Sequence, residues 1–88
     1  MTTRSARAIT RERNAIAFAQ NEVLLELHTA IKKFPPMLSP HEGYAIILEE
    51  LDELWEQVRM PQPQSKALMR AEAKQVAAMA LRFMADLT

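Results

Sequence analysis

One glutamate interrupts an otherwise apolar face of the last predicted helix. At about 100° of rotation per residue, apolar side chains recur along one stripe of this helix. The apolar members of the stripe are Leu68, Val76, Met79, Phe83 and Leu87. Glu72 falls inside it. An ionised carboxylate among apolar neighbours costs several kcal/mol of desolvation unless it is paired, so we expect Glu72 to have a compensating partner.

The helix before it carries two further glutamates beside its apolar face. That face is centred on Ile47, Leu51, Leu54 and Val58. Glu50 and Glu53 lie at one edge of it, three residues apart, and are therefore neighbours along the helix surface. Asp52 and Glu56 point further toward solvent. If the two helices pack antiparallel, Glu72 lies opposite Glu50 and Glu53, and three carboxylates converge in a partly dry groove.

Three like charges in one groove repel one another, and this repulsion must be offset. The relief can be protonation with a raised pKa, pairing with Lys or Arg, or a divalent cation. A site made only of oxygen atoms suits magnesium or manganese better than zinc. The ordinary alternative is that Glu50 and Glu53 face solvent, and that Arg70, Lys74 or an arginine of a second subunit pairs with Glu72.

Three helices are predicted to position these groups. The first covers about residues 5–34, because apolar residues recur at intervals of three and four. The members of this face are Ile9, Ile16, Val23, Leu27, Ala30 and Phe34. Pro35 and Pro36 end the helix, since proline lacks an N–H donor and disfavours helical geometry in the residue before it.

The second helix has a strong start signal in Ser39-Pro40-His41-Glu42. It combines a serine N-cap, proline at the first helical position and a glutamate that completes a capping box. We predict a helix over about 40–59, then an extended loop that holds two prolines. Ser65 caps a third helix over about 66–87.

The predicted fold class is all-α, because no segment alternates as a strand does. The chain 1–88 is expected to be a single domain whose last two helices form an antiparallel hairpin. The first helix or another subunit would complete a four-helix-bundle-type core. A chain of 88 residues buries only about 60% of its unfolded surface, and it has no cysteine to form a disulfide. We therefore expect a homodimer or tetramer.

Charge and hydropathy weigh against several kinds of partner. Eleven basic residues balance eleven acidic ones, so no overall field draws the chain to nucleic acid or membrane. No apolar run is long enough to span a membrane or resembles a signal peptide, and a cytoplasmic location is expected. Four arginines near the start could form a nucleic-acid-binding arm, but a solvated helix end is favoured. They are Arg4, Arg7, Arg11 and Arg13.

Two single residues have a functional and an ordinary interpretation. His41 could contact a phosphate at a helix N-terminus, although a solvent-facing histidine is favoured. Trp55 could stack on a base, although a tryptophan in the core or in an interface is favoured.

The order of the acidic residues resembles a known family. Glu49-Glu50-Leu51-Asp52-Glu53 matches the EExxE element of the MazG-like, all-alpha nucleoside triphosphate pyrophosphohydrolases. In that family an ExxD element follows on the next helix. Glu72-Ala73-Lys74-Gln75 takes its place here, with 18 residues between Glu53 and Glu72. The run over 41–58 is also similar to a small branch of uncharacterised phage and bacterial MazG-like proteins, and the resemblance covers about residues 34–87.

The resemblance implies hydrolysis of a nucleoside triphosphate, standard or modified, to the monophosphate and pyrophosphate. The family's metal ligands fall on Glu50, Glu53, Glu72 and Gln75, with Mg²⁺ expected and Mn²⁺ able to replace it. The ion would polarise the phosphates. Glu49 is the implied catalytic residue, which would orient or deprotonate the attacking water.

Gln75 departs from the family pattern, which has aspartate at this position. An amide oxygen can bind magnesium, but it adds no charge and cannot act as a base, so affinity and rate should both fall. Asp86 cannot replace it, since eleven helical residues separate the two by about 16 Å. Two hypotheses follow: a magnesium-dependent pyrophosphohydrolase of full or weakened activity, or a non-catalytic helical interaction module of a phage or mobile element.

Overall fold

The computed structural model describes residues 3–88, which form three helices. Helix α1 spans Ala6–Lys33, α2 spans Pro40–Val58 and α3 spans Lys66–Leu87. The described residues contain no strand. The all-helical class predicted from the sequence is therefore confirmed.

A serine caps the start of each helix. The side chains of Ser5, Ser39 and Ser65 each accept a hydrogen bond of 3.1 Å from the backbone N–H three residues later. These bonds satisfy donors that have no partner within the helix. The capping box of α2 is modified, because the Glu42 carboxylate accepts from the N–H of Leu38, at 3.3 Å, and not from that of Ser39.

Helix α3 is the central element. It packs against both α1 and α2, whereas α1 and α2 have no Cα atoms within 8 Å of each other. Helix α2 is antiparallel to α3, since Gly43 lies against Phe83 and the carboxylate of Glu50 lies near that of Glu72. This is the predicted hairpin.

Helix α1 runs parallel to α3. Near the middle of α1, Glu22 bonds to Arg70 at the start of α3. Near the end of α1, Ala30 bonds to Arg82 toward the end of α3. Because α1 covers one side of α3 and α2 covers another, the three helices form an open arrangement with α2 at its edge.

The apolar core is small. Its buried apolar members are Ala30, Met37, Ala78 and Met79. Partly buried residues of all three helices surround them, namely Val23, Leu27, Ile46, Ile47, Phe83 and Leu87. Among residues 3–88, no large side chain is fully buried. One copy of the chain thus shields little apolar surface from water.

The apolar face predicted for α2 is only partly covered in one copy of the chain. Leu51 is 47% exposed and Val58 is 38% exposed. The residues that α2 packs against the core are Ile46 and Ile47, beside the buried Gly43. Gly43 lies against the aromatic ring of Phe83, so this side of α2 faces α3 and the side with Leu51 and Val58 does not.

Gly43 sets the closest approach of α2 to α3. A Cβ atom at this position would lie 2.6 Å from Cδ2 of Phe83 and 2.9 Å from Cδ1 of Leu87. Overpacking costs about 1–3 kcal/mol, against a gain of about 1 kcal/mol for alanine over glycine in a helix. We expect Gly43→Ala to lower the free energy of unfolding by about 1 kcal/mol, measured by urea denaturation. A more stable variant would show that the helices separate here without cost.

A buried arginine ties the end of α1 to α3. Arg82 is 5% exposed. Its guanidinium donates to the carbonyl of Ala30 at 3.2 Å and to that of Phe34 at 2.8 Å. Its Nε donates to Asp86 at 3.1 Å. Asp86 also accepts from the N–H of Met37 at 2.9 Å. The group fixes the α1–α2 connection against α3, and nothing in the sequence pattern pointed to it.

The start of α1 has the surface character that the charge pattern predicts. The arginines at this end of the chain are exposed, and Arg4, which precedes the helix, pairs with Glu12 of α1. Within the part of the chain that the structure describes, no helix combines the length and apolar character that crossing a membrane requires.

Candidate metal centre

Three glutamates converge where α2 crosses α3. Carboxylate oxygens of Glu50, Glu53 and Glu72 all lie within 4.8 Å of one another. Glu50 and Glu72 are partly buried, and Glu53 is exposed. The antiparallel hairpin produces this arrangement, because it places an early turn of α3 opposite the middle of α2.

The surroundings of Glu50 oppose its ionisation. Burial raises the pKa of Glu50, and the neighbouring carboxylates of Glu53, Glu72 and Glu49 raise it further. A hydrogen bond with Glu53 acts in the same direction. Each of these effects opposes ionisation of Glu50, as expected for carboxylates that share one site.

The two cations of α3 that could have paired with Glu72 are engaged elsewhere. Arg70 forms a bidentate pair with Glu22 of α1 at 3.0 Å. The ammonium of Lys74 lies 3.9 Å from Glu26, also of α1. In the described residues no Lys or Arg forms an ion pair with any of the three clustered glutamates. Within the described part of one chain, the three glutamates therefore have no Lys or Arg partner.

The donor set fits a small divalent cation. Magnesium binds oxygen at about 2.1 Å, so two oxygens on one ion are at most about 4.2 Å apart. The carboxylate oxygens of the cluster are within 4.8 Å of one another, and small side-chain rotations would bring them into range. Three carboxylates and no nitrogen or sulfur suit magnesium or manganese.

Gln75 contacts α1. Its amide nitrogen donates to Oε1 of Glu26 at 2.6 Å, in a partly buried position. Lys74 lies on the other oxygen of the same carboxylate. Glu26 is not among the site residues predicted from the sequence. Its only signal is the four-residue spacing from Glu22, which puts both on the same side of α1. The role of Gln75 as a fourth metal ligand stays a prediction.

A cavity of about 410 Å³ adjoins the cluster at Glu50. One wall is apolar and is formed by Phe34, Pro35, Met37, Ile46 and Met79. The polar lining consists of Glu42, Glu49, Glu50 and Arg82. Glu49, the predicted catalytic residue, thus lies at this cavity and outside the three converging carboxylates. An apolar wall with a few polar groups is typical of small-molecule sites.

The chain matches no protein-family model, no curated protein and no solved structure. The resemblance to MazG-like enzymes therefore rests on the sequence pattern over about residues 34–87, with the acidic residues of α2 and α3 as its motifs.

Proposed function

We propose that this chain is a magnesium-dependent, MazG-like nucleoside triphosphate pyrophosphohydrolase. The observation that supports it most is the convergence of Glu50, Glu53 and Glu72 without a cationic partner. A divalent cation would relieve the repulsion among these carboxylates and would attract a polyphosphate. The reaction converts a nucleoside triphosphate to the monophosphate and pyrophosphate.

The residues of the cluster have separate roles in this proposal. Glu50, Glu53 and Glu72 would hold Mg²⁺ or Mn²⁺, with the amide oxygen of Gln75 as a fourth ligand. When bound, the ion supplies charge neutralisation and polarisation at the phosphates. Glu49 would orient a water molecule and accept its proton. The water oxygen forms a bond to the α phosphorus. The bond from this phosphorus to the oxygen that bridges to the β phosphoryl group breaks, and pyrophosphate leaves.

The neighbouring cavity provides the place for the nucleoside. Its apolar wall, which includes Ile46 and Met79, suits the faces of a base, and its carboxylates suit amino groups at a base edge. A cavity of about 410 Å³ is within the size range of small-molecule sites. Glu50 belongs both to the cavity and to the cluster, so the triphosphate of a bound nucleotide would be directed toward the candidate ion.

The test is product identification with a panel of nucleoside triphosphates in magnesium. We expect monophosphate and pyrophosphate from at least one of them, and a loss of at least about 100-fold in rate for Glu53→Gln. Glu56→Gln is the matched control, since Glu56 lies on the same helix with its side chain 52% exposed and paired with Arg59. No pyrophosphate from any substrate, or diphosphate and inorganic phosphate as the products, would overturn the proposal.

The second candidate function is a non-catalytic interaction module of a phage or mobile element. Gln75 is the observation that favours it, because the amide replaces the fourth carboxylate of the family and its nitrogen is bound to Glu26. On this alternative the helices persist without the chemistry, and no triphosphate is hydrolysed.

Restoring the fourth carboxylate separates the two candidates. Gln75→Asp alone would place a carboxylate against Glu26, so we expect it to destabilise the fold. Combined with Glu26→Gln, which restores a donor, the change should raise the magnesium-dependent rate about tenfold over Glu26→Gln alone. An unchanged rate would show that position 75 does not reach the ion.

The proposal also covers quaternary structure and location. We infer a homodimer or tetramer that acts in the cytoplasm, where nucleoside triphosphates are abundant, and we do not propose a nucleic-acid partner.

A further inference from the structure

Five apolar residues form an exposed stripe on α2, called here the α2 stripe. Its members are Tyr44, Leu48, Leu51, Trp55 and Val58. They alternate at intervals of four and three residues, which puts them on one face of the helix. Their exposed fractions lie between 38% and 65%. No charged residue interrupts the stripe.

The fold within one chain does not use this face. Among the three described helices, α2 packs against α3 alone, and Gly43, Ile46 and Ile47 are the α2 residues that lie at the core. Tyr44 follows Gly43 by one residue, so the α2 stripe begins about 100° around the helix from the buried glycine. An apolar face that includes a half-exposed tryptophan and tyrosine is unusual for a surface that stays in water.

We propose that the α2 stripe is the contact surface of a symmetric dimer, in which α2 of one copy packs on α2 of a second copy. Apolar residues at alternating intervals of three and four suit helices that cross at about 20°. A two-fold axis presents the same patch on both sides, so a single stripe is enough to form the whole interface.

The size of the surface supports a second copy as the occupant. With aromatic side chains of about 150–250 Å² each, burying the α2 stripe on both copies removes on the order of 1,000 Å² from water. This reaches the lower end for a specific interface, about 1,000 Å².

The limited core of one copy also favours a second copy as the occupant. The stripe itself is uncharged, and the charged residues beside it are Asp52 and Glu56 on one flank and Arg59 just beyond its end, so the proposed contact is apolar. No large side chain is fully buried among the described residues, so covering the stripe would add apolar burial that a single copy lacks. A second copy is always present in equal amount.

Trp55 reports on this interface in the unmodified protein, because it is the only tryptophan of the chain. It is 58% exposed in a single copy. The experiment measures mass by sedimentation and acrylamide quenching of Trp55 across a dilution series. We expect a dimer with a shielded tryptophan at high concentration. On dilution to monomer, quenching should rise several-fold in step with the loss of mass.

Two leucine substitutions locate the surface. Leu51→Glu places like charges at the centre of the proposed contact and should weaken the dimer about 100-fold, as the loss of one central contact residue does. Leu25→Glu is the matched control, at a leucine of α1 that is 69% exposed, and should leave the mass unchanged. If Leu51→Glu does not fold, the dilution series of the wild type still tests whether a dimer forms and covers Trp55.

Three results would overturn this proposal. They are a wild type that is monomeric at every concentration, a dimer whose Trp55 is quenched as freely as in the monomer, and equal effects of the two leucine variants. If the wild type stays monomeric, a different partner protein is the occupant expected for the same face. None of these results depends on nucleotide hydrolysis or on metal binding.

Discussion

Glu50→Gln is expected to stabilise the metal-free protein at pH 7 and to remove its response to magnesium. The pKa of Glu50 is raised by burial and by the carboxylates of Glu53 and Glu72. At neutral pH the ionised form of Glu50 is therefore less favourable in the folded chain than in the unfolded chain, which lowers the free energy of unfolding. The neutral amide avoids this cost, but it supplies no charge for a cation.

The raised pKa of Glu50 also determines how the stability of the protein changes with pH. The folded state binds a proton at Glu50 more tightly than the unfolded state does. The contribution of protonated Glu50 to stability is therefore fully present below the ordinary pKa of 4.5. It is lost as pH rises through the raised value in the folded protein. A bound cation favours the ionised form, so magnesium should stabilise the protein more as pH rises through this window.

Thermal unfolding in chelator and in magnesium measures both effects. At an ion concentration about 100 times the dissociation constant, binding adds about 2.7 kcal/mol. For a domain of this size that raises the Tm by about 10 °C or more. Glu56→Gln should keep the full response. A wild type whose Tm does not change with magnesium, or a Glu50→Gln variant that responds equally, would contradict the expectation.

The second large effect is expected at Arg82. Replacing it by methionine keeps much of the side-chain volume but leaves Asp86 without its guanidinium and the carbonyls of Ala30 and Phe34 without their donor. Removing one member of a fully buried ion pair costs about 3–5 kcal/mol, and the lower end applies here because the Asp86 side chain is 18% exposed. We expect Arg82→Met to lower the free energy of unfolding by about 3 kcal/mol.

Two further variants give the control. Arg70→Met removes an arginine whose side chain is 53% exposed in its pair with Glu22, and should change stability far less because such pairs are solvated. Arg82→Lys keeps the charge but cannot reach all three acceptors, so an intermediate loss is expected. Equal losses for Arg82→Met and Arg70→Met in urea unfolding would show that the buried group is not needed for stability.

Local sequence signals were sufficient to predict the helices. Serine caps, the Ser39-Pro40 start and the prolines after α1 act within a few residues of one another, so they can be read without knowing the tertiary structure. The convergence of Glu72 with Glu50 and Glu53 needed one assumption more, an antiparallel hairpin. A short loop between two long helices made that assumption reasonable.

The remaining contacts depend on which face of each helix packs and on which side its neighbour lies. Short-range sequence patterns do not determine either. The apolar residues of α2 cover more than one face, and the contact of Gly43 with Phe83 decides which face packs against α3. The pairing of Gln75 with Glu26 requires α1 to lie parallel to α3 on one particular side. The Arg82 group joins residues about fifty positions apart in the chain, and its members have no characteristic spacing.

A calorimetric titration with magnesium or manganese, on the wild type and on Glu72→Ala, tests the candidate site most directly. Glu72 comes from α3, whereas Glu50 and Glu53 come from α2, so its removal opens one side of the cluster and leaves the other helix unchanged. We predict saturable binding by the wild type and a loss of at least about tenfold in affinity for the variant. No binding by the wild type, or equal binding by the two proteins, would contradict a metal centre at this crossing.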